Sequence, residues 1–347
     1  MKAHRWMPWL AAGLVGALTV AGASYGGAGT PKTAKAPASV KVGLVTDTGG
    51  LNDRGFNQLA NKGRLQADKL KGISTRVLIS RSSSDYIPNL ASLAQNDFDL
   101  VIGVGFLMEK EIETVANRFP NTKFAIIDAS QVGMATKPKN LRGLLFKEQE
   151  TGCLVGALAA LTIKGRGPQV ISSVGGIKIP PVDRFIAGYQ FCAKRITPRI
   201  STLNAYSQSF GDQAKCKEIA LNQIAAGSQV VFQVAGQCGL GALDAADERG
   251  KWGIGVDADQ SFKGQHVLTS ALKKVDVAVF KSSQAVKNGT FKGGGDTIFG
   301  IKAGGVGLGK VSPRLKGKKR TTILAQVKRI ETQIKSGKLK IPTTVSG

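Results

Sequence analysis

The chain is poor in histidine, in acidic residues and in aromatic rings, and it has no cysteine ahead of Cys153. Its two histidines are His4 and His266, and there is no Cys-x-x-Cys. A zinc site or a His-based nucleophile triad therefore lacks its parts, and no metal or cofactor is expected. Asp and Glu number 23 against 48 Lys and Arg, giving a formal charge of +25. Such an imbalance usually suggests nucleic acid. Here the basic residues are scattered, with one cluster over 310–320, so a solvated surface facing an anionic envelope or membrane is expected and no nucleic-acid partner. Aromatics make up 6% of the chain and glycines number 44, which fits a turn-rich α/β protein with small residues at close helix–sheet contacts. The glycine run over 236–241 lacks the Lys-Ser/Thr ending of a phosphate loop, so no ATP site is legible.

The start of the chain reads as an export signal over 1–24. Lys2 and Arg5 are its basic head, 10–20 an apolar core too short to span a bilayer stably, and Ala21-Gly-Ala23 a small-residue cleavage site. A retained membrane anchor is the alternative. Residues 25–39, rich in Pro, Ala and Lys, read as a flexible leader. With 42% hydrophobic residues, the remainder is long enough for two lobes of ordinary size.

The stretch Lys41-Val-Gly-Leu-Val-Thr-Asp-Thr-Gly-Gly opens that remainder. Residues 42–45 read as a short buried strand and Phe56 as the start of a helix. Asp47 then sits at the carboxyl end of a strand, the edge at which open α/β sheets bind ligands. The same pattern occurs twice. Strand ends near Val45, Val101 and Ile127 are answered by Val174, Val231 and Val256, with separations of 56 against 57 and 82 against 82 residues. Helices are expected between them at 87–95, 109–118, 183–196, 215–226 and 240–249. Two βαβαβα runs imply two parallel sheets covered by helices on both faces, with a cleft between two similar lobes. Two tandem domains with unrelated sites would be the alternative. The expected division is 40–147 for the N-terminal lobe, 148–265 for the C-terminal lobe, and 266–347 for the hinge crossing and return. After Asp259 the chain is expected back in the first lobe, with 267–272 as the crossing strand.

If the lobes face each other, the acids closing equivalent strands converge: Asp47, Asp128 and Asp257. Carboxylates accept charge-assisted bonds from vicinal hydroxyls and from base N–H groups, although a strand-end Asp can serve only as a helix cap. Phe56 and Phe210 are placed to sandwich a planar group, with core packing as the alternative. Asn57 offers an amide, and Gly236 lets backbone N–H groups approach a ligand.

Thr46-Asp-Thr-Gly-Gly-Leu-Asn-Asp-Arg-Gly-Phe-Asn57, Gly211-Asp-Gln-Ala-Lys-Cys-Lys-Glu-Ile-Ala220, Gly255-Val-Asp-Ala-Asp-Gln260 and Thr269-Ser-Ala-Leu-Lys-Lys-Val-Asp276 carry a resemblance. From about residue 40 to its end the chain resembles the basic membrane protein, or PnrA-like, family of solute-binding lipoproteins. The resemblance implies a type I periplasmic-binding fold, two doubly wound lobes joined by a hinge. It implies capture of a purine nucleoside and delivery to a membrane ABC permease with a separate ATPase. By the same resemblance Asp47 and Asp128 meet the base, Phe56 and Phe210 stack on it, and Asp257 and Lys273 hold the ribose. The family usually carries a lipid-accepting Cys after the cleavage site, which this chain lacks. An exported monomer at the outer face of the cell membrane, without a lipid anchor, is therefore expected. A sugar or other small polar signal in the same fold, and an exported nucleoside hydrolase, are the competing readings.

The repeat also bears on the cysteines. Cys216 and Cys238 open the helices after successive strands, at one sheet edge, so a Cys216–Cys238 disulfide is expected. Cys153 and Cys192 are left as a helix–helix pair, with four free buried thiols as the alternative.

Overall fold

The computed structural model describes residues 39–345. The expected export signal, and all of the expected leader but its last residue, lie outside the described residues. Among the described residues twelve strands form two sheets. Sheet A holds β1 (Val40–Val45), β2 (Ile73–Leu78), β3 (Leu100–Val104), β4 (Lys123–Ile127), β5 (Leu141–Phe146) and β11 (Asp296–Phe299). Sheet B holds β6 (Val170–Gly175), β7 (Ser201–Tyr206), β8 (Val230–Val234), β9 (Trp252–Asp257), β10 (Val267–Lys273) and β12 (Val306–Leu308). The orders are β11-β5-β4-β3-β1-β2 and β12-β10-β9-β8-β6-β7, the same permutation in both. The repeat breaks only at the rim, where β11 runs parallel to β5 while β12 runs antiparallel to β10.

The central strands β3, β4 and β8 are apolar runs buried almost along their whole length, as strands covered on both faces must be. Helices α1 (Phe56–Asp68), α2 (Tyr86–Gln95), α3 (Glu109–Arg118) and α8 (Val275–Lys287) accompany sheet A. Helices α4 (Glu148–Ile163), α5 (Pro180–Ile196), α6 (Gln213–Ala225), α7 (Gly239–Glu248) and α9 (Gly317–Lys335) accompany sheet B. Helix α4 is apolar nearly all round and buried at every residue but Gln149, so it forms core rather than surface. It packs hard on α5 through glycines. A methyl group on Gly152, Gly156 or Gly188 would collide with the backbone carbonyl of Phe185, Tyr189 or Gln149. Cys153 and Cys192 join the same helix pair, and Cys216 and Cys238 join the starts of α6 and α7. Both expected pairings are present.

Among the described residues the chain crosses between the lobes three times, at Lys147, at Lys274 and over 300–305. Backbone bonds tie the crossings side by side: Lys147 N donates to Phe299 O at 3.1 Å and Lys274 N to Gly305 O at 2.7 Å. One expectation needs correction. Residues 267–272 do not return the chain to the first lobe; as β10 they pair with β9 in sheet B. The return comes with α8, which packs on α1 of the first lobe. The matched spacings cover three strands per unit, whereas each unit has a fifth, β5 in one and β10 in the other. Among the described residues no helix is long and apolar enough to cross a membrane.

Candidate ligand-binding site

The carboxyl ends of both sheets open onto one inter-lobe cleft of about 630 Å³, counting its mouth. Its lining includes all eight residues singled out in the sequence: Asp47, Phe56, Asn57, Asp128, Phe210, Gly236, Asp257 and Lys273. Four carboxyl groups and one ammonium face a space otherwise walled by Phe106, Ile179, Val182, Phe185 and Val234.

The first acidic pair is built by the turn after β1. Asp53 accepts from the backbone N–H groups of Gly55, Asn57 and Gln58 at 3.0, 2.7 and 3.1 Å, satisfying the open N-terminus of α1. Asn57 donates its side-chain amide to Asp47 Oδ1 at 2.6 Å and to Asp53 at 3.1 Å, and its oxygen accepts from Asp47 N at 3.3 Å. Its amide is thus spent within the protein. Asn57 orients Asp47 and offers a ligand no free donor, unlike the role its sequence position suggested. Asp47 also accepts from Gly49 N at 2.9 Å through Oδ1, which leaves Oδ2 for the cleft. Burial pushes the Asp47 carboxyl up to about 6, against the bonds from Gly49 and Asn57. Gly105, at φ 111°, lets the loop after β3 pass beside Asp47 and Phe56, where a side chain would intrude.

Asp128 and Asp257 occupy matching places at the ends of β4 and β9. Both adopt the left-handed backbone, at φ 72° and 61°, a cost that non-glycine residues carry mostly at functional sites. Asp128 Oδ2 accepts from Lys273 Nζ at 2.6 Å, while its Oδ1 is buried without a hydrogen-bond partner. Burial pushes Asp257 up to about 7, with Lys273 opposing and the other carboxyl groups adding. The Lys273 ammonium is 2% exposed. Burial pulls its pKa down, but Asp128, Glu148 and Asp257 outweigh this and hold it charged, well above the ordinary lysine range. Its Nζ lies 5.1 Å from the Phe56 and Phe146 ring centres and 5.8 Å from Phe185.

The sequence reading missed Asp53, Phe106, Phe185 and Glu148. Asp53 lies two residues ahead of the N-cap Gly55 yet bonds the first-turn N–H groups of α1, so the usual capping spacing does not mark it. Glu148, fully buried 2.9 Å from Lys273 Nζ, opens a helix with no polar face, and nothing in the local pattern marked it. Among the described residues no cluster of three His, Cys, Asp or Glu side chains is arranged to hold a metal ion.

The lobes, the three crossings and a ligand-sized cleft fit an extracytoplasmic solute receptor, and comparison with known proteins agrees. Residues 40–344 match the family model Bmp, ABC transporter substrate-binding protein PnrA-like. The ABC transporter nucleoside-binding protein BmpA of Lactococcus lactis is 32% identical over 342 residues, covering 92% of this chain and 93% of that one. The CD4+ T-cell-stimulating antigen of Listeria monocytogenes is 32% identical, covering 87% of each. A crystal structure of an ABC transporter solute-binding protein from Aeropyrum pernix superposes with a TM-score of 0.77 at 29% identity, covering 88% of this chain and 94% of that one. The chain belongs to the Bmp family of PnrA-like ABC transporter substrate-binding proteins.

Proposed function

We propose that the cleft captures a purine ribonucleoside and that the loaded protein delivers it to a membrane ABC importer whose ATPase is a separate subunit. One observation carries the ligand class: a protein of formal charge +25 places four carboxyl groups and a single ammonium in an aromatic-walled cleft. Such a cavity asks for a ligand rich in hydroxyl and N–H donors, with flat apolar faces and no phosphate. Nucleosides meet all three conditions; nucleotides fail the last by charge repulsion. Asp47 Oδ2 and the unpartnered Asp128 Oδ1 accept from the base, Phe56 and Phe210 stack on it, and Asp257 with Lys273 takes the ribose hydroxyls. Closure about the three crossings excludes water and strengthens these charge-assisted bonds. The name of the Lactococcus lactis relative supports the same ligand class.

The test is thermal unfolding with a panel of nucleosides, bases, pentoses and nucleoside monophosphates. A ligand at 100 times its Kd adds about 2.7 kcal/mol of stability. A shift with inosine, guanosine or adenosine and none with their 5′-phosphates is expected. A shift with pentoses alone would replace the ligand, and conversion of the nucleoside to free base during incubation would replace binding with hydrolysis.

A further inference from the structure

Glu148 is the most buried acid near the cleft, yet it does not line it. It is the first residue of α4, immediately after the first crossing, with no side-chain exposure. Its Oε1 lies 2.9 Å from Lys273 Nζ and its Oε2 lies 3.6 Å from Arg184 Nη1. From Gly152 onward α4 is apolar but for Thr162, and an apolar residue at position 148 would fill the same space without desolvating a carboxylate. What Glu148 does that such a residue cannot is hold the Lys273 ammonium.

Lys273 has two carboxylate partners, and they belong to different lobes. Asp128 ends β4 of sheet A. Glu148 stands on α4, which packs on β10, the strand that Lys273 itself ends. When the lobes part, Asp128 moves with sheet A while Glu148 stays with Lys273. Glu148 therefore keeps the ammonium in place before the cleft has closed. Its neighbour Glu150 has a different task, accepting from the backbone N–H of Ile301 at 2.6 Å across two crossings.

We propose that Glu148 is a positioning residue for the ribose: it fixes the Lys273 ammonium where the sugar hydroxyls arrive, and so sets the preference for a nucleoside over its free base. This rests on the nucleoside reading above.

The full chain is titrated calorimetrically with adenosine and with adenine. Glu148→Gln keeps the side chain's size and removes its charge. It should weaken adenosine by about tenfold, the loss of one charge-assisted bond from the Lys273 ammonium to the sugar, while adenine changes little. Glu150→Gln, in the same helical turn, should leave the adenosine-to-adenine ratio as in the wild type. An unchanged ratio in Glu148→Gln, whether both affinities fall together or neither moves, overturns the inference. Should that variant fail to fold, Glu148→Asp retains the charge but draws it back by one methylene. It should lower the same ratio, and an unchanged ratio again overturns the inference. A wild-type chain that binds neither compound removes the nucleoside reading, and the inference with it.

Discussion

Asp257→Asn should make the empty protein more stable at neutral pH while removing its affinity for ligand. The folded Asp257 carboxyl titrates at about 7 against an ordinary 3.8, because burial outweighs the Lys273 ammonium. Between those values the folded chain holds a proton that the unfolded chain has released. Stability from this group is therefore fully present below pH 3.8 and is lost as pH rises through about 7. About three pH units at roughly 1.4 kcal/mol each amount to about 4 kcal/mol. Asparagine does not ionise, and it tolerates the left-handed backbone that position 257 requires at φ 61°. The gain should reach the order of 2–4 kcal/mol at pH 8 and disappear near pH 4, where both side chains are neutral. Urea unfolding followed by tryptophan fluorescence at the two pH values reads the difference. A variant no more stable than wild type at pH 8, or one equally stabilised at both pH values, would refute the reasoning.

Three further outcomes are expected. Phe56→Ala and Phe210→Ala should each weaken a purine nucleoside by about 1–3 kcal/mol, measured by calorimetry, with pentose binding unaffected. Gly156→Ala sets a methyl group against the Tyr189 carbonyl in the α4–α5 contact, so the helices must part. It should lower the thermal midpoint strongly or abolish soluble expression, whereas Gly250→Ala, where nothing lies nearby, should show only the modest strain of its φ of 63°. Cys216→Ser opens a loop of 22 residues and should cost about 3 kcal/mol in urea unfolding; an unchanged midpoint would show that the bond carries no stability.

Much of this molecule was legible because it is written twice. Strand 100–104 is a continuous apolar run and 230–234 is apolar but for Gln233, each followed within two residues by a glycine, and their equal spacing gave the two lobes before any contact was known. The acids at positions 128 and 257 were visible for the same reason, as matched strand ends. What escaped notice had no contrast. Strand β2, Ile-Ser-Thr-Arg-Val-Leu, is a half-exposed edge whose alternation is imperfect. Helix α4 is buried on every side and so shows no helical period, which hid Glu148 within it. The division of the last third was misjudged because β10 is as apolar as a crossing strand would be, and only its pairing with β9 assigns it to sheet B. Asn57 shows a different limit. Its type and position suit a ligand contact, but its hydrogen bonds to Asp47 and Asp53 are set by a turn that the sequence does not resolve.

Titration calorimetry of the wild-type chain with inosine, ribose and hypoxanthine, repeated at two temperatures, puts the cleft to the plainest trial. One site per chain is expected, with inosine far tighter than either of its halves and with the negative heat-capacity change of buried apolar surface. Saturation by ribose at the same affinity as inosine, or no heat with any purine nucleoside, would contradict a cleft shaped for base and sugar together.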